Sequence, residues 1–383
     1  MEPYLPNYLK GKNRRLVFDL LRERGQMSRA EITRDTGMSF PTAMKVVDAF
    51  LEKGLLVELD ETGPAAGAGR KGRLLRFEPG AYRAVGVECE GRFARVGLAD
   101  MAGGVQARET IELGDFARTR DLSPLAAAIR RMCAAANGAP VLGVCIGFPA
   151  NLDPDAAAIV SYAAMDIQQP TSFAQVFPCV LAGSGAARLS GKRREPRLRG
   201  RGILLRRGAG GAANMLYLSI GSLRRRGAPD GKLRRGVRCR AGEVGAMLLQ
   251  PALGAPGRSA ARETLEDAVC LAALERRFGA ALRDGAQPGE ASAQAMRDYL
   301  CGPLSGAVYS LVMTLDVELC VLAGIVPGAL GMQLCTQVSE ALRAALPEST
   351  PVRVEPSVSA DAGVIGAAAT VFERSLDALL GSG

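Results

Sequence analysis

The sequence predicts an α/β protein that begins with a winged helix-turn-helix. Three observations predict it. Residues 28–57 carry two helix-forming stretches around a tight glycine turn. Two short strand-like runs follow and enclose a glycine-rich, basic tip. From Gly80 onward, hairpin-like apolar runs give way to alternating strands and helices, the order of an α/β architecture.

Asn13 is positioned to cap a first helix with Leu16, Val17, Leu20 and Leu21 on one side. Ser28 and Glu31 have the spacing of a capping box, in which each side chain satisfies the other's free amide at a helix start. Gly37 follows where a glycine usually terminates a helix. Ser39 is expected to cap the next helix, with Pro41 in its first turn, where a missing N–H costs nothing. Within that helix Ala43, Val46, Val47, Phe50 and Leu51 recur at helical spacing and predict a buried face. Ser39, Phe40, Thr42, Met44 and Lys45 are left as candidates to meet bases and phosphates, as the second helix of a helix-turn-helix does in the major groove. Gly54 should end this helix, and Leu55–Leu59 and Leu74–Phe77 read as strands. The segment Gly63–Gly72 between them ends in Arg70-Lys71-Gly72, a basic tip suited to phosphates or the minor groove. The alternative is a three-helix protein–protein module followed by a flexible linker.

Composition bounds the chemistry. A chain of 383 residues suggests two or three domains, and an apolar share of 48% is enough for real cores. The polar start does not resemble a signal peptide. The apolar run Leu311–Val326 is broken by Asp316 and Glu318, so no membrane segment is expected. Nine scattered Cys without a C-x-x-C pair suit a reduced, cytoplasmic setting. There is no His, which excludes His-dependent triads, His bases and His metal ligands, and leaves no plausible zinc ligand set. Charge is uneven: residues 188–240 hold 17 Lys/Arg against 2 acidic residues, while the remainder has 31 against 37. The basic balance therefore comes from one segment far in sequence from the helix-turn-helix, and does not argue for DNA binding.

Ala84–Val87 and Phe93–Ala99 flank Cys89-Glu90-Gly91-Arg92 as a hairpin, and Val105–Leu113 adds a strand. Leu122–Asn137 is helical, Val141–Ile146 a strand, and Met215–Ile220 another. Long helices are expected at Ser259–Leu282 and Ala291–Val317. Then come a strand Leu319–Ala323, a helix near Gly331–Leu346, a strand Val352–Pro356 and a closing helix Ala362–Leu380.

Several motifs stand in this frame: Gly147-Phe148-Pro149 with Asp153, Tyr217–Gly221, Asp230–Gly236, Ala241-Gly242-Glu243-Val244-Gly245-Ala246-Met247, and Asp361–Ala368. Together with the winged helix they resemble the ROK family of bacterial repressors and sugar kinases, over nearly the whole chain. The resemblance implies a two-lobed actin-like ATPase domain behind the winged helix, with ligand in the cleft between lobes. It implies a winged helix over 1–79 and a ROK domain over 80–383. The first lobe would span about 80–190 plus the C-terminal helix, and the second about 191–355. Members with a winged helix are similar to the xylose and N-acetylglucosamine repressors. They are homo-oligomers, here a homodimer or homotetramer, that bind a double-stranded DNA operator and respond to sugars.

The departures from the family pattern matter more. Kinases of the family carry N-D-A-N, whose Asp activates a sugar hydroxyl. The matching stretch here is Ala182-Gly183-Ser184-Gly185, and Gly183 cannot accept a proton. The first phosphate loop, Asp-x-Gly-Gly-Thr in kinases, is Glu88-Cys89-Glu90-Gly91-Arg92, with two acids expected to repel a triphosphate. The second is Gly221–Gly227, where Arg224, Arg225 and Arg226 replace glycines that let a backbone approach phosphate. The family's zinc ligands are replaced throughout, so the resemblance implies neither a metal nor another cofactor. Glu243 and Glu263 match carboxylates that contact sugar hydroxyls in the family; the alternative is that they cap helices or pair with Arg. Asp153 is read as holding a turn. The reading is a non-enzymatic repressor of carbohydrate-related genes. Two alternatives stay open: an active sugar kinase with an incidental N-terminal module, and a DNA-binding dimer that needs no effector. Arg224–Arg226 are either a solvated basic surface or a site for an acidic, sugar-derived effector or for the DNA backbone.

Overall fold

The computed structural model describes residues 6–62, 73–90, 93–113, 121–147, 151–153, 158–161, 167–172, 187–190, 214–220, 224–228, 244–249, 263–279, 282, 288–357 and 361–380. Helix α1 (Pro6–Arg24) leads through the short strand β1 (Gln26–Ser28) into α2 (Arg29–Thr36) and α3 (Phe40–Glu52). Strands β2 (Leu56–Thr62) and β3 (Arg73–Phe77) follow, and the three strands form one sheet in the order β1-β3-β2. This is the winged helix-turn-helix arrangement.

Beyond a helical turn at Pro79–Ala81 come β4 (Arg83–Glu90), β5 (Phe93–Asp100), β6 (Val105–Glu112), α4 (Ser123–Ala134) and β7 (Val141–Gly147). Next are β8 (Asn151–Asp153), β9 (Ala158–Ser161), β10 (Thr171–Ser172) and β11 (Ala187–Ser190). The main sheet has the order β11-β7-β4-β5-β6; β8, β9 and β10 make a small antiparallel one. The second half contains β12 (Met215–Ser219), β13 (Arg224–Ala228), α5 (Leu265–Val269), α6 (Leu271–Phe278), α7 (Glu290–Leu315), β14 (Leu319–Ala323), α8 (Ile325–Ala345) and β15 (Arg353–Pro356). Its sheet runs β13-β12-β14-β15, with β12, β14 and β15 mutually parallel in sequence and β13 antiparallel at the edge. Helix α9 (Ala362–Leu379) closes the chain.

The contacts divide the chain into two compact units: Met1–Arg207 with Gly363–Gly383, and Gly208–Ala362. In the first, the period of two along β4 decides what lies on each side of the sheet. Val85 and Val87 pack with Leu125, Ile129 and Met132 of α4. On the other side Ala84 joins Ala367, Ala368, Val371 and Phe372 of α9, and Gly86 lets the backbone of α9 come close at Val364. That second core does not stop at the sheet. It continues into the winged helix through Val17, Phe18, Leu21, Ile32, Val47, Phe50, Leu75 and Phe77.

Polar contacts fasten the same seam. The buried Arg14 guanidinium donates to the Leu380 carbonyl (2.9 Å), and Arg15 pairs with Glu373 (2.7 Å). The Tyr82 hydroxyl donates to the Lys53 carbonyl (3.1 Å), and the Met101 amide to the Pro79 carbonyl (3.1 Å). The helix-turn-helix thus shares one core with the main sheet and α9. In the second unit, Leu216, Leu218, Cys320 and Leu322 of the sheet pack with Leu300, Leu304 and Val308 of α7 and Leu334, Val338 and Leu342 of α8. The nearly buried Arg297 fixes α7 against α8 by donating to the Leu330 carbonyl (3.3 Å) while it meets Gln294 and the Glu290 carboxylate.

Three sequence expectations are corrected. Asn13 lies inside α1, which starts at Pro6, and Phe18 takes the buried place expected of Leu16, which is exposed. The helix expected over Ser259–Leu282 is two short helices, because Cys270 is extended (ψ 157°) and breaks the run between α5 and α6. Helix α8 starts at Ile325, ahead of Gly331, whose left-handed backbone (φ 73°) kinks it. No helix among the described residues is long and apolar enough to cross a membrane.

Candidate nucleic-acid interface and degenerate ligand site

The helix-turn-helix is built by local chemistry. The Glu31 amide donates to the Ser28 hydroxyl (3.3 Å), and the Ser28 amide donates back to the Glu31 carboxylate (2.8 Å). The Ser28 hydroxyl in turn donates to the carboxylate (2.8 Å), and the two donors to it, the Ser28 backbone amide first and the hydroxyl second, hold the Glu31 carboxyl below its ordinary range. Gly37 then takes a left-handed conformation (φ 68°) and its amide closes the end of α2, which a residue with a Cβ would do only under strain.

The Glu31 bond has a pH signature. A carboxyl whose folded pKa is depressed adds stability that is present above the unfolded pKa and is lost as pH falls through the folded value. Glu31→Gln should therefore lower stability by about 0.5–1 kcal/mol near pH 7. The gap to wild type should close between about pH 5 and pH 3. Urea titrations of both proteins at several pH values check this; a gap that is constant with pH would exclude the ion as the source.

On α3, Ala43, Val46, Val47 and Phe50 are buried as their spacing predicts, and Leu51 is partly buried against the same core. Ser39, Phe40, Pro41 and Lys45 are exposed, while Thr42 and Met44 are partly buried. Met44 is partly buried and packs against the core that the winged helix shares. Ser39 occupies the cap position without capping: its hydroxyl bonds the Thr42 hydroxyl (2.8 Å) instead of a backbone amide. Lys45 meets no carboxylate among the described residues. Arg70 and Lys71 at the tip of the wing lie outside the described residues.

Sequence reading missed three residues beside this surface. Glu58 on β2 holds Arg29, the first residue of α2, and also Arg73 of β3 (3.5 Å). The Arg29 hydrogen bond depresses the Glu58 carboxyl below its ordinary range. These residues are 29 and 15 positions from Glu58, so only strand pairing brings them together, and no local signal announces it.

The candidate ligand residues are less well assembled. At the first phosphate-loop position, Glu88 is buried at the end of β4, with the Arg95 guanidinium 3.7 Å away. Its carboxyl lies over Gly363 in the first turn of α9, so close that a Cβ there would sit 2.3 Å from Glu88 Cδ. Arg95 and the first turn of α9 thus flank that side chain. Glu88 therefore packs within its own unit, between Arg95 and the start of α9. The side chain of Glu90 lies outside the described residues.

In the other unit, the run expected as a loop is strand over Arg224–Ala228, with Arg224 opposite Ser219, Arg225 opposite Leu218 and Arg226 opposite Tyr217. Glu263 is exposed, and its carbonyl accepts from the Leu249 amide (3.1 Å). The capping role offered as its alternative belongs to its neighbour Thr264, which forms a capping box with Asp267. Asp153, expected to hold a turn, is in strand β8 opposite Ala158. Glu243, the Gly183 segment and the replaced zinc positions 255–262 lie outside the described residues.

The chain has the fold of the ROK proteins, carried behind an N-terminal winged helix. Along almost its full length it is similar to a ROK family transcriptional regulator, the homolog of the Escherichia coli MLC protein: the TM-score is 0.74 with 16% identity, over 97% of this chain and 98% of that one. The ROK hexokinase from Thermus thermophilus matches 76% of this chain and 98% of its own (TM-score 0.56, 21% identity). A ROK family glucokinase from Streptomyces griseus, solved with glucose and AMPPNP, matches 75% and 98% (TM-score 0.56, 18% identity). Among curated sequences, an uncharacterized protein of Sinorhizobium fredii, y4fQ, is 26% identical over 198 residues; the match spans half of each chain. No family model matches the sequence.

Proposed function

We propose that this chain is a transcriptional repressor that binds duplex DNA sequence-specifically, with residues 1–79 as reading head and 80–383 as a ROK module that does not phosphorylate sugar. The observation that carries this reading is the helix α3. Its apolar face is committed to the core, and its outer corner presents Ser39, Phe40, Pro41 and Lys45 beside a wing. The likeness to a ROK regulator over 97% of the chain supports it, because the hexokinase and the glucokinase match only 76% and 75% of the chain. Gly183 at the position of the kinase base supports the absence of turnover, since glycine has no group to take a proton. Two heads on a two-fold axis would read an inverted repeat with half-sites one or two helical turns apart. Regulated genes concerned with carbohydrate, a sugar or acidic sugar-derived effector, and Arg70 and Lys71 as phosphate contacts belong to the same proposal.

The test is selection of binding sites from random duplex DNA. One recurring, palindromic site is the expected outcome, and absence of any selected sequence overturns the reading. On the selected site, Lys45→Ala should cost about 1–3 kcal/mol if it reads a base edge, or flatten the salt dependence by about one unit if it meets a phosphate. A coupled assay that finds ATP-dependent phosphorylation of a hexose would instead favour a sugar kinase.

A further inference from the structure

Phe40 is the most exposed aromatic ring among the described residues, 56% accessible at the first position of α3. A single exposed apolar side chain is ordinary. Its surroundings are not. The next residue, Pro41, is also exposed and has no amide hydrogen to give. On either side, the Ser39 and Thr42 hydroxyls are bonded to each other at 2.8 Å. The first turn of α3 contains no acidic residue, and its first charged residue is Lys45, more than a turn further on. This corner therefore puts carbon foremost at Phe40 and Pro41, beside two hydroxyls that are engaged with each other.

In a helix-turn-helix the N-terminal residues of the second helix approach the base edges. The major groove presents donors and acceptors at every base pair, but only one apolar group, the thymine C5-methyl. An apolar corner at that place has one matching target. We infer that Phe40, supported by Pro41, is a specificity-determining residue that recognises a thymine methyl group in each half-site. This rests on the proposed DNA-binding function and deepens it: Lys45 would supply charge, and Phe40 would select a T·A pair by burying a methyl against the ring.

The test uses the full-length protein and the site that wild type selects. Each thymine of the site is replaced in turn by deoxyuridine, which keeps every hydrogen-bonding group and lacks only the methyl. Burying one methyl is worth roughly a fourfold change in affinity. Wild type should lose about that factor at one thymine per half-site and little elsewhere. Phe40→Ala should bind the parent site more weakly and be indifferent to deoxyuridine at that same position. Phe40→Leu should keep most of the discrimination. Because Phe40 is exposed, both variants should retain the wild-type circular dichroism and melting behaviour. If wild type selects a site but no thymine methyl is coupled to Phe40, this inference is overturned while the DNA-binding reading stands. If wild type selects no site, both fall.

Discussion

Phe18→Ala should destabilise the first unit by about 3–5 kcal/mol, a large share of the stability of an ordinary domain. Phe18 is fully buried and meets Phe77 edge-on, with ring centroids 5.7 Å apart and planes at 84°. The Arg22 guanidinium stands 5.5 Å from the centre of its ring. Removing the ring leaves a cavity that α1, β3 and α9 cannot close together, because each is tied to another partner. Strand β3 is paired on both sides, to β1 and β2. Helix α1 is held to α9 through Arg14 and Arg15. The edge-on aromatic pair adds roughly 0.5–1.5 kcal/mol beyond the area lost. Hydrogen exchange measures the effect by region. Amides of α1, β3 and α9 should lose protection together, while those of residues 288–357 keep theirs. Loss confined to α1 and β3 would mean that the shared core does not couple the winged helix to α9.

Gly86→Ala should act on the other end of the same helix. A Cβ at Gly86 would lie 2.0 Å from the Val364 carbonyl oxygen, 2.8 Å from its carbon and 3.1 Å from the Ala368 amide nitrogen. All three are backbone atoms, so no side chain can swing aside and α9 itself must move. Overpacking of a rigid core costs typically about 1–3 kcal/mol, and a backbone obstacle belongs at the upper end. Because α9 also supports α1, the displacement should reach the reading head: DNA affinity should fall although Gly86 lies in the main sheet. Gly80→Ala is the control, since its Cβ would meet only side-chain atoms at 3.2 Å or more. Equal stability and equal DNA binding for the two variants would rule out the close approach of α9 as the reason for glycine at position 86.

Much of this protein was determined by sequence alone, wherever the controlling interaction spans a few residues. The capping box of Ser28 and Glu31, the glycine stop at Gly37 and the buried period Ala43–Val46–Val47–Phe50 are short-range chemistry, and they define the helix-turn-helix. The hairpin of β4 and β5 and the strand β14 follow from continuous apolar runs between breakers. Local rules failed where a residue had a choice of partner. Ser39 has the composition of a cap, yet its hydroxyl takes Thr42. Leu16 has the spacing of a core residue, yet it is exposed and Phe18 is buried instead. Only tertiary structure decided that Glu58 gathers Arg29 and Arg73, that Glu88 lies over the start of α9 beside Arg95, and that Arg14 reaches the carbonyl of Leu380, 366 residues away. The physical reason is the same in each case. Periodicity and capping energies depend on neighbours along the chain, whereas a buried charge or carbonyl is satisfied by whichever group the packed elements bring beside it, and that group can come from anywhere in the sequence.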